Sequence, residues 1–461
     1  INKMGTMPVN KLMLTIGAPM IISMVLQAVY NIVDSAFVSN MQGTGEMALN
    51  ALTLAFPIQM LMVAVSIGTG VGTNALLSRC LGMGDSKKAA RVGGNAMFLA
   101  IIIYVLCLIF GIFGVGVYIG TQTTNSQIYD MATDYLRICS VISMGIVFFS
   151  IFEKMLQATG LSLYSTVAQI TGAVINIILD PIFILHTGDK LFGINMPFGF
   201  DMGVAGAAIA TVIGNIVSVI YFLIYFLRGK SILSISPKRF AMGHGITKGV
   251  IGVGLPAAIN SLLMSISNII VNVVLIKYGD SAVAAMGIAM KANMLVVMLQ
   301  IGLGQGVQPL VGYCYGAQNY KRMRKCLRFS IICNIIIGTA MTGFYLLFRR
   351  NVIELFINDA QVIDLGVKML LALMASGPVI GIMFVLNFSF QGMGKGIQSM
   401  ILSLGRQGII YVPMLFIMNK LIGLEGIIWS QTTADICCVI MSIIMFIFIN
   451  KGIKKKESSL A

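Results

Sequence analysis

Charged residues are scarce in this sequence. Asp, Glu, Lys and Arg together make up only 10% of its 461 residues, whereas 57% are apolar, and the mean hydropathy is +0.93. A soluble fold of this size needs more charge than that on its surface. The composition therefore excludes the soluble classes and leaves a protein that crosses a membrane several times.

Acidic residues are scarcer than basic ones: the sequence has 16 acidic and 31 basic residues, which gives a net charge of +15. Such an excess can indicate nucleic-acid binding, but here the basic residues are spread over many short loops rather than one patch. If the N-terminus is cytoplasmic, most of them lie on the cytoplasmic side, and the opposite loops hold Lys190, Lys277, Arg349, Arg350 and Lys420. This positive-inside distribution predicts that both termini are cytoplasmic and that no nucleic acid is bound.

Residues of the usual enzyme sites are also lacking. The two histidines, His186 and His244, both fall in predicted loops, so no metal or nucleophile constellation can be built from them. The eight cysteines lie in or beside apolar segments without paired spacing and are interpreted as small reduced side chains. The sequence therefore predicts neither an enzyme nor a bound cofactor.

What the sequence has in quantity is long apolar runs. Each is long enough for the roughly 20 residues that a helix needs to cross a bilayer, and none shows the alternation of a membrane-barrel strand. The runs begin near residues 12, 48, 89, 128, 161, 203, 248, 283, 327, 362, 398 and 424. We therefore predict an all-α integral membrane protein with twelve transmembrane helices.

The chain also repeats itself. IGTGVGTNALLSRCLGMGDSKK, which starts at Ile67, aligns with IGLGQGVQPLVGYCYGAQNYKR, which starts at Ile301. The same offset pairs QATG at Gln157 with QGMG at Gln391, and GAP at Gly17 pairs nearby with GLP in the second half. Six helices are thus followed by six similar helices of the same orientation.

Two six-helix repeats of one orientation predict two lobes around a central cavity. We assign residues 1–228 to the N-lobe, 229–247 to a cytoplasmic linker and 248–461 to the C-lobe. This architecture favours a transporter that works by alternating access over a channel.

A carboxylate lies inside the first apolar run. A charged side chain at the bilayer centre costs about 2.5–3.5 kcal/mol on insertion scales, so Asp34 is a functional candidate by default. Gln27 and Asn31 share its helix face at i−7 and i−3.

The fifth run carries a second carboxylate. In NIILDPIFI, Asn176 and Asp180 are four residues apart on one helix face, and Pro181 leaves the carbonyl of Ile177 without its helical donor. Such an oxygen-rich site can hold Na⁺ directly at Asp34, Asn176 and Asp180, or it can hold a proton on an aspartate. The alternative is that each aspartate only forms a hydrogen bond to a neighbouring helix.

Other polar residues in the spans have weaker assignments. Lys291 is predicted to face the central cavity, although it can also extend to the interface, and Asp435 is expected to pair with a neighbouring helix. The 33 methionines suit an adaptable cavity or serve as apolar filler. The predicted substrate cavity is lined by Gln27, Asn31, Asn268, Asn272, Lys291 and Gln300.

Several segments together resemble the multidrug and toxic compound extrusion (MATE) family, and within it the MepA-like and DinF-like branch. They are MPVNKLMLTIGAPMIISMVLQAVYNIVDSAFVS, the GTGVG stretch followed by SRCLGMGD, NIILDPIFI, VAGAAIAT and GQGVQPLVGYCYGA. The resemblance runs through both lobes. It implies an exporter of the bacterial inner membrane that expels organic cations or drug-like molecules in exchange for H⁺ or Na⁺. We expect a monomer within the lipid bilayer.

The resemblance also assigns residues. Asp34 matches the family's first-helix acid, and Asn176 and Asp180 match its fifth-helix motif. Tyr135 and Thr211 match further members of the first-lobe cation site.

Prolines are implied as hinges. Pro19 resembles the family's first-helix proline, which is linked to bending of that helix on protonation. Pro181, which interrupts the hydrogen bonding of the fifth helix, is assigned as a second hinge. NorM-like members carry acids on helices seven and ten, where this chain has Asn260, Asn268 and Asn387. The first lobe is therefore expected to carry the ion.

Two other functions stay open at this point. A flippase for lipid-linked precursors would need several basic residues in the cavity and usually extra helices, whereas Lys291 is the one mid-helix candidate in the second lobe. An exporter of a specialised metabolite would use the same fold.

Overall fold

A computed structural model of the chain describes residues 3–39, 45–184, 190–191, 194–195, 199–200, 202–228 and 245–461. Its first half contains α1 to α9, and a two-residue antiparallel pair, β1 and β2, stands before α9. The bounds are α1 Lys3–Thr6, α2 Val9–Ser39, α3 Gly45–Gly82, α4 Ser86–Phe113, α5 Val115–Gln122, α6 Ser126–Val141, α7 Met144–Ala158, α8 Ser162–Ile184, β1 Lys190–Leu191, β2 Ile194–Asn195 and α9 Val204–Leu227.

All secondary-structure elements in the second half of the described chain are helices or helical turns. Its bounds are α10 Ile246–Leu275, a short 3₁₀ turn Ile276–Tyr278, α11 Asp280–Gly316, α12 Tyr320–Glu354, α13 Ala360–Met374, α14 Gly377–Gly392, α15 Gly396–Leu404, a π-helical turn Gly405–Ile409, α16 Tyr411–Ile422 and α17 Leu424–Leu460.

Within the described ranges, ten helical segments are long and apolar enough to cross a membrane, and two bent pairs raise the number to twelve. The pairs are α6 with α7, bent by 48°, and α13 with α14, bent by 49°. The predicted twelve-helix, all-α architecture is thereby confirmed. The observed starts fall close to the predicted ones, with the fifth span beginning at Ser162 and the twelfth at Leu424.

Two compact units make up the chain. Unit 1 comprises residues 1–25, 74–85 and 255–461, and unit 2 comprises residues 26–73 and 86–254. The predicted lobes follow the sequence repeat, whereas the units exchange short segments at the starts of α2 and α10 and the end of α3. Most of the predicted linker, residues 229–244, lies outside the described residues.

Each unit has its own apolar core. In unit 1 one cluster is built from α10, α11, α12, α13, α16 and α17, with Val271, Met286 and Met369 buried in it. In unit 2 a cluster around Ile119 and Leu136 joins α3, α5, α6, α8 and α9. Lipid covers the outer faces of such a protein, so apolar side chains are exposed along most helices.

Glycines allow helices from the two repeats to cross at backbone contact. In unit 2, a Cβ on Gly72 of α3 would lie 2.1 Å from the carbonyl oxygen of Val250 on α10, and one on Gly254 would lie 2.4 Å from that of Gly68. In unit 1, a Cβ on Gly306 of α11 would lie 3.0 Å from the Cα of Gly17 on α2. Small residues at such crossings are the usual device of membrane helices.

The two crossings are equivalent under the sequence repeat. Gly17 aligns with Gly254, and Gly72 aligns with Gly306. In both cases the first helix of one repeat therefore crosses the second helix of the other repeat through glycines.

Candidate functional site

Close packing of α8 on α9 determines where the predicted cation-site residues lie. A Cβ on Gly172 would be 2.8 Å from the carbonyl oxygen of Gly214, and one on Gly206 would be 2.4 Å from that of Phe183. The two helices therefore touch backbone to backbone at both contacts. Asn176 lies between these two points, one turn from Gly172, and so faces α9.

Asn176 and Asp180 form a buried pair. Asp180 has no exposed surface, and Asn176 is 3% exposed. With the amide nitrogen of Asn176 facing the carboxylate, it donates to Asp180 Oδ1 at 3.0 Å and Oδ2 at 3.3 Å, while the amide oxygen accepts from the Tyr30 hydroxyl at 2.6 Å. This orientation satisfies both ends of the amide, which is the criterion for assigning it.

Tyr30 links this pair to α9. Its hydroxyl oxygen lies 3.2 Å from Thr211 Oγ1, and Thr211 donates to the carbonyl of Ala207 at 3.0 Å. Three of the five predicted cation-site residues, Asn176, Asp180 and Thr211, are thus brought together, and Tyr30 joins them. We call Tyr30, Asn176, Asp180 and Thr211 the N-site.

Tyr135, the fourth predicted member, is buried at 5% exposure. Its hydroxyl accepts a hydrogen bond of 3.1 Å from Gln59 Nε2 on α3, and Gln59 also reaches Cys139 Sγ at 3.5 Å. Gln59 was not predicted as a site residue. Gln59 is a neutral amide in an apolar run, so no charge distinguishes it. Its position in the sequence therefore did not indicate that it contacts Tyr135.

Asp34 and Asn31 have side chains outside the described residues. The backbone of α2 continues through both positions as helix to Ser39. Tyr30 and Asp34 are therefore one turn apart on the same helix face. The predicted Na⁺ site at Asp34, Asn176 and Asp180 stays a prediction.

Most predicted cavity residues have exposed side chains. In unit 1 these are Asn268 and Asn272 on α10 and Lys291 on α11, and in unit 2 it is Gln27 on α2. Gln300 differs, because it is fully buried and its Nε2 donates to the carbonyl of Gly377 at 2.8 Å. In this structure Gln300 therefore braces the start of α14 rather than facing open space.

Both predicted hinge prolines lie inside continuous helices. Pro19 is within α2 and Pro181 is within α8. Unit 1 passes to unit 2 at residues 25 and 26, within α2 and shortly after Pro19. Their role as hinges stays a prediction.

Asp435 pairs with a neighbouring helix, as expected. Arg406 Nε donates to Asp435 Oδ1 at 3.1 Å, Gln431 Nε2 donates to the same oxygen at 2.8 Å, and Ser376 Oγ donates to Oδ2 at 2.8 Å. The Arg406 guanidinium also lies 5.0 Å from the centre of the Phe384 ring. Three donors hold this carboxylate in a buried ion pair, which favours a structural role.

A second pair of buried charges was not predicted. On α7, Lys154 Nζ donates to Gln157 Oε1 at 3.3 Å and lies 3.9 Å from Glu153 Oε1. Gln157 Nε2 in turn donates to Glu153 at 3.3 Å. The signal that could have found this pair is the adjacency of two opposite charges within an apolar run.

Comparisons with known proteins agree with this architecture. The family model MatE matches residues 19–182 and 256–417. Multidrug export protein MepA from Staphylococcus saprophyticus is 28% identical over 437 residues, which cover 95% of this chain and 93% of the relative. A MATE structure in complex with MaL6 has a TM-score of 0.90 at 24% identity and covers 98% of this chain and 99% of that chain. The outward-facing conformation of a multidrug resistance MATE family transporter has a TM-score of 0.88 at 25% identity and covers 97% of both chains.

Proposed function

This chain belongs to the MatE family, and on that premise we propose that it is a multidrug efflux transporter that exchanges an inbound H⁺ or Na⁺ for an outbound organic cation. It works by alternating access in a bacterial inner membrane, with both termini in the cytoplasm. The relatives named as multidrug export proteins support the efflux function, and the distribution of basic residues supports the orientation.

The observation that carries the coupling role is the burial of Asp180 in the N-site. A carboxylate without exposed surface in a membrane span is costly unless a cation or proton accompanies its charge. Its neighbours in the N-site, the amide of Asn176 and the hydroxyls of Tyr30 and Thr211, are neutral oxygen-bearing groups. Such groups suit a proton or Na⁺ equally well.

Coupling further requires that the cation bind one conformation better than the other, since only differential affinity can shift a two-state equilibrium. The N-site joins α2, α8 and α9, so a change in the position of α2 alters the ligands available to the ion. Cation binding at the N-site and bending of α2 near Pro19 are therefore two parts of one step.

Efflux of ethidium from proteoliposomes tests this function. An imposed pH gradient and an imposed Na⁺ gradient are compared for the wild type, Asp34→Asn and Asp180→Asn, with Asp134→Asn as the control, because Asp134 is an exposed carboxylate of the same unit. We expect one gradient to drive efflux in the wild type and the control but not in the two site variants. Gradient-driven efflux that persists in both site variants would contradict the coupling role. The absence of efflux under either gradient would favour transport of lipid-linked precursors or a specialised metabolite.

A further inference from the structure

A basic cavity lies in unit 1 and shares no lining residue with the N-site. It has a volume of about 360 Å³ and is lined by Gly5, Pro8, Val9, Asn319, Lys321, Arg322 and Lys325. One wall is the segment that leads into α2, and the other is the beginning of α12. Three of the seven lining residues are cations, and none is acidic.

Arg322 joins the two walls. Its Nε donates to the carbonyl of Met4 at 3.0 Å, and its Nη2 donates to the carbonyl of Met7 at 2.6 Å. Carbonyl groups are neutral, so these bonds fix the guanidinium in place without neutralising it. The cavity therefore keeps the shape and charge of its basic wall.

The positive charge of the cavity has no acidic counterpart in the described part of the chain. Nearby Arg324 is paired, because both Glu457 oxygens accept from its guanidinium at 3.0 Å. No salt bridge in the described ranges involves Lys321, Arg322 or Lys325. Lys321 and Lys325 are four residues apart on one helix face, a spacing at which like charges repel.

The first repeat has an acid where this cavity has an amide. Asp85 aligns with Asn319, and Lys87 and Lys88 align with Lys321 and Arg322. The chain thus supplies its own carboxylate ahead of the basic residues of the first repeat. In the second repeat the equivalent residue, Asn319, is neutral. An external anion can therefore take the position beside the basic residues that the carboxylate of Asp85 takes in the sequence of the first repeat.

We propose that this cavity binds a phosphate group at the cytoplasmic surface, with Lys321, Arg322 and Lys325 as its cationic ligands. An anionic phospholipid headgroup and free phosphate share this chemistry. The headgroup is the better supplied source, because basic pockets between spans on the cytoplasmic side face an anionic leaflet. This inference rests on the proposed orientation but not on the proposed coupling ion. An occupied cavity holds the start of the first span against the ninth.

Three variants test the site. Lys321→Gln/Lys325→Gln removes two cations and leaves the Arg322 contacts in place. Asn319→Asp restores the acid of the first repeat and keeps the helix cap, in which Asn319 Oδ1 accepts from the Arg322 backbone at 3.3 Å, since Asp and Asn are equally good caps. The control is Lys87→Gln/Arg91→Gln, which removes two exposed cations at the equivalent place in the first repeat.

Native mass spectrometry of the purified full-length protein measures binding of phosphatidylglycerol, with phosphatidylcholine of the same chains as the neutral lipid. At about a fivefold loss per charge, we expect binding to weaken about 25-fold in the double variant and about fivefold in Asn319→Asp, with the control unchanged. Thermal stabilisation by inorganic phosphate with the same ranking, without phosphatidylglycerol adducts, would support the site with free phosphate as the source. Equal binding of the anionic lipid and of phosphate by all variants would overturn it, as would binding lost equally in the control.

Discussion

The crossing of α3 and α10 makes a sharp prediction for Gly72→Ala. The added Cβ would lie 2.1 Å from Val250 O, 2.9 Å from Val250 C and 3.1 Å from Gly254 N, whereas ordinary van der Waals contact begins at 3.4 Å. All three atoms belong to backbone, so no side-chain rotation relieves the clash. The helices must separate by about 1.3 Å, the difference between 3.4 and 2.1 Å. Overpacking of this kind costs about 1–3 kcal/mol, and we expect the upper end of that range.

Two further variants grade the effect. Gly252→Ala is the matched control on α10, because a Cβ there meets no atom within 4 Å. Gly306→Ala is the repeat equivalent, and its Cβ would lie 3.0 Å from Gly17 Cα, a shortfall of only about 0.4 Å from 3.4 Å. Helix propensity favours alanine over glycine by about 1 kcal/mol at all three positions, so it does not distort the comparison.

Thermal unfolding of the purified protein in detergent is the assay. We expect the midpoint to fall most for Gly72→Ala, less for Gly306→Ala, and to stay equal or rise for Gly252→Ala. If the crossing separates during transport, the loss of stability is smaller and efflux changes instead. Unfolding midpoints and efflux rates that are the same for Gly72→Ala and Gly252→Ala would refute the reasoning.

Three other predictions follow from the same contacts. Tyr30→Phe removes the hydroxyl between Asn176 and Thr211. Because this removes about one net hydrogen bond, the apparent affinity for the coupling ion should weaken about 2- to 10-fold. Vesicle efflux measures this affinity, with Tyr221→Phe as the control. Asp435→Asn leaves Arg406 buried without its charged partner and should lower the free energy of unfolding by about 3–5 kcal/mol. Replacing both residues, Asp435 by Leu and Arg406 by Met, should lower it far less. Equal losses for the two variants in a denaturation series would count against a structural pair. Gln300→Leu removes the donor to Gly377 and should destabilise the protein by about 1–3 kcal/mol without a change in substrate specificity, which a panel of dyes can check.

The architecture was predictable because apolar length and glycine pattern are local properties of a sequence. The span starts at Ser162 and Leu424 agree with the sequence prediction, and the repeat at Ile67 and Ile301 appears as equivalent glycine crossings. The bends of α6–α7 and α13–α14 were not predicted, because a break of two residues hardly changes the hydropathy of a run.

The candidate site was predictable only where it carries charge or a recognisable motif. Asp180 stands out in an apolar run, and Asn176 stands one turn from it. Tyr30 and Gln59 do not stand out, because tyrosine and glutamine are tolerated at many positions of a span. Which of these side chains reaches the site depends on which helices pack against α2 and α3. The periodicity of a sequence indicates which residues share one face of a helix, but it does not indicate which helix packs against that face.

The two repeats share their scaffold but not their polar chemistry, and this supports an ion site confined to the first repeat. NIILDP at Asn176 aligns with GIIYVP at Gly408, so the isoleucines and the proline recur while Val412 stands in place of Asp180. Gly408 stands in place of Asn176 and has no side chain to supply an amide, and a Cβ there would meet Leu263 at 3.9 Å. The second repeat instead has its buried carboxylate, Asp435, already engaged by three donors. If the proposed coupling holds, we therefore expect two lobes of like build to move alike, with only the lobe that holds the N-site responding to the ion.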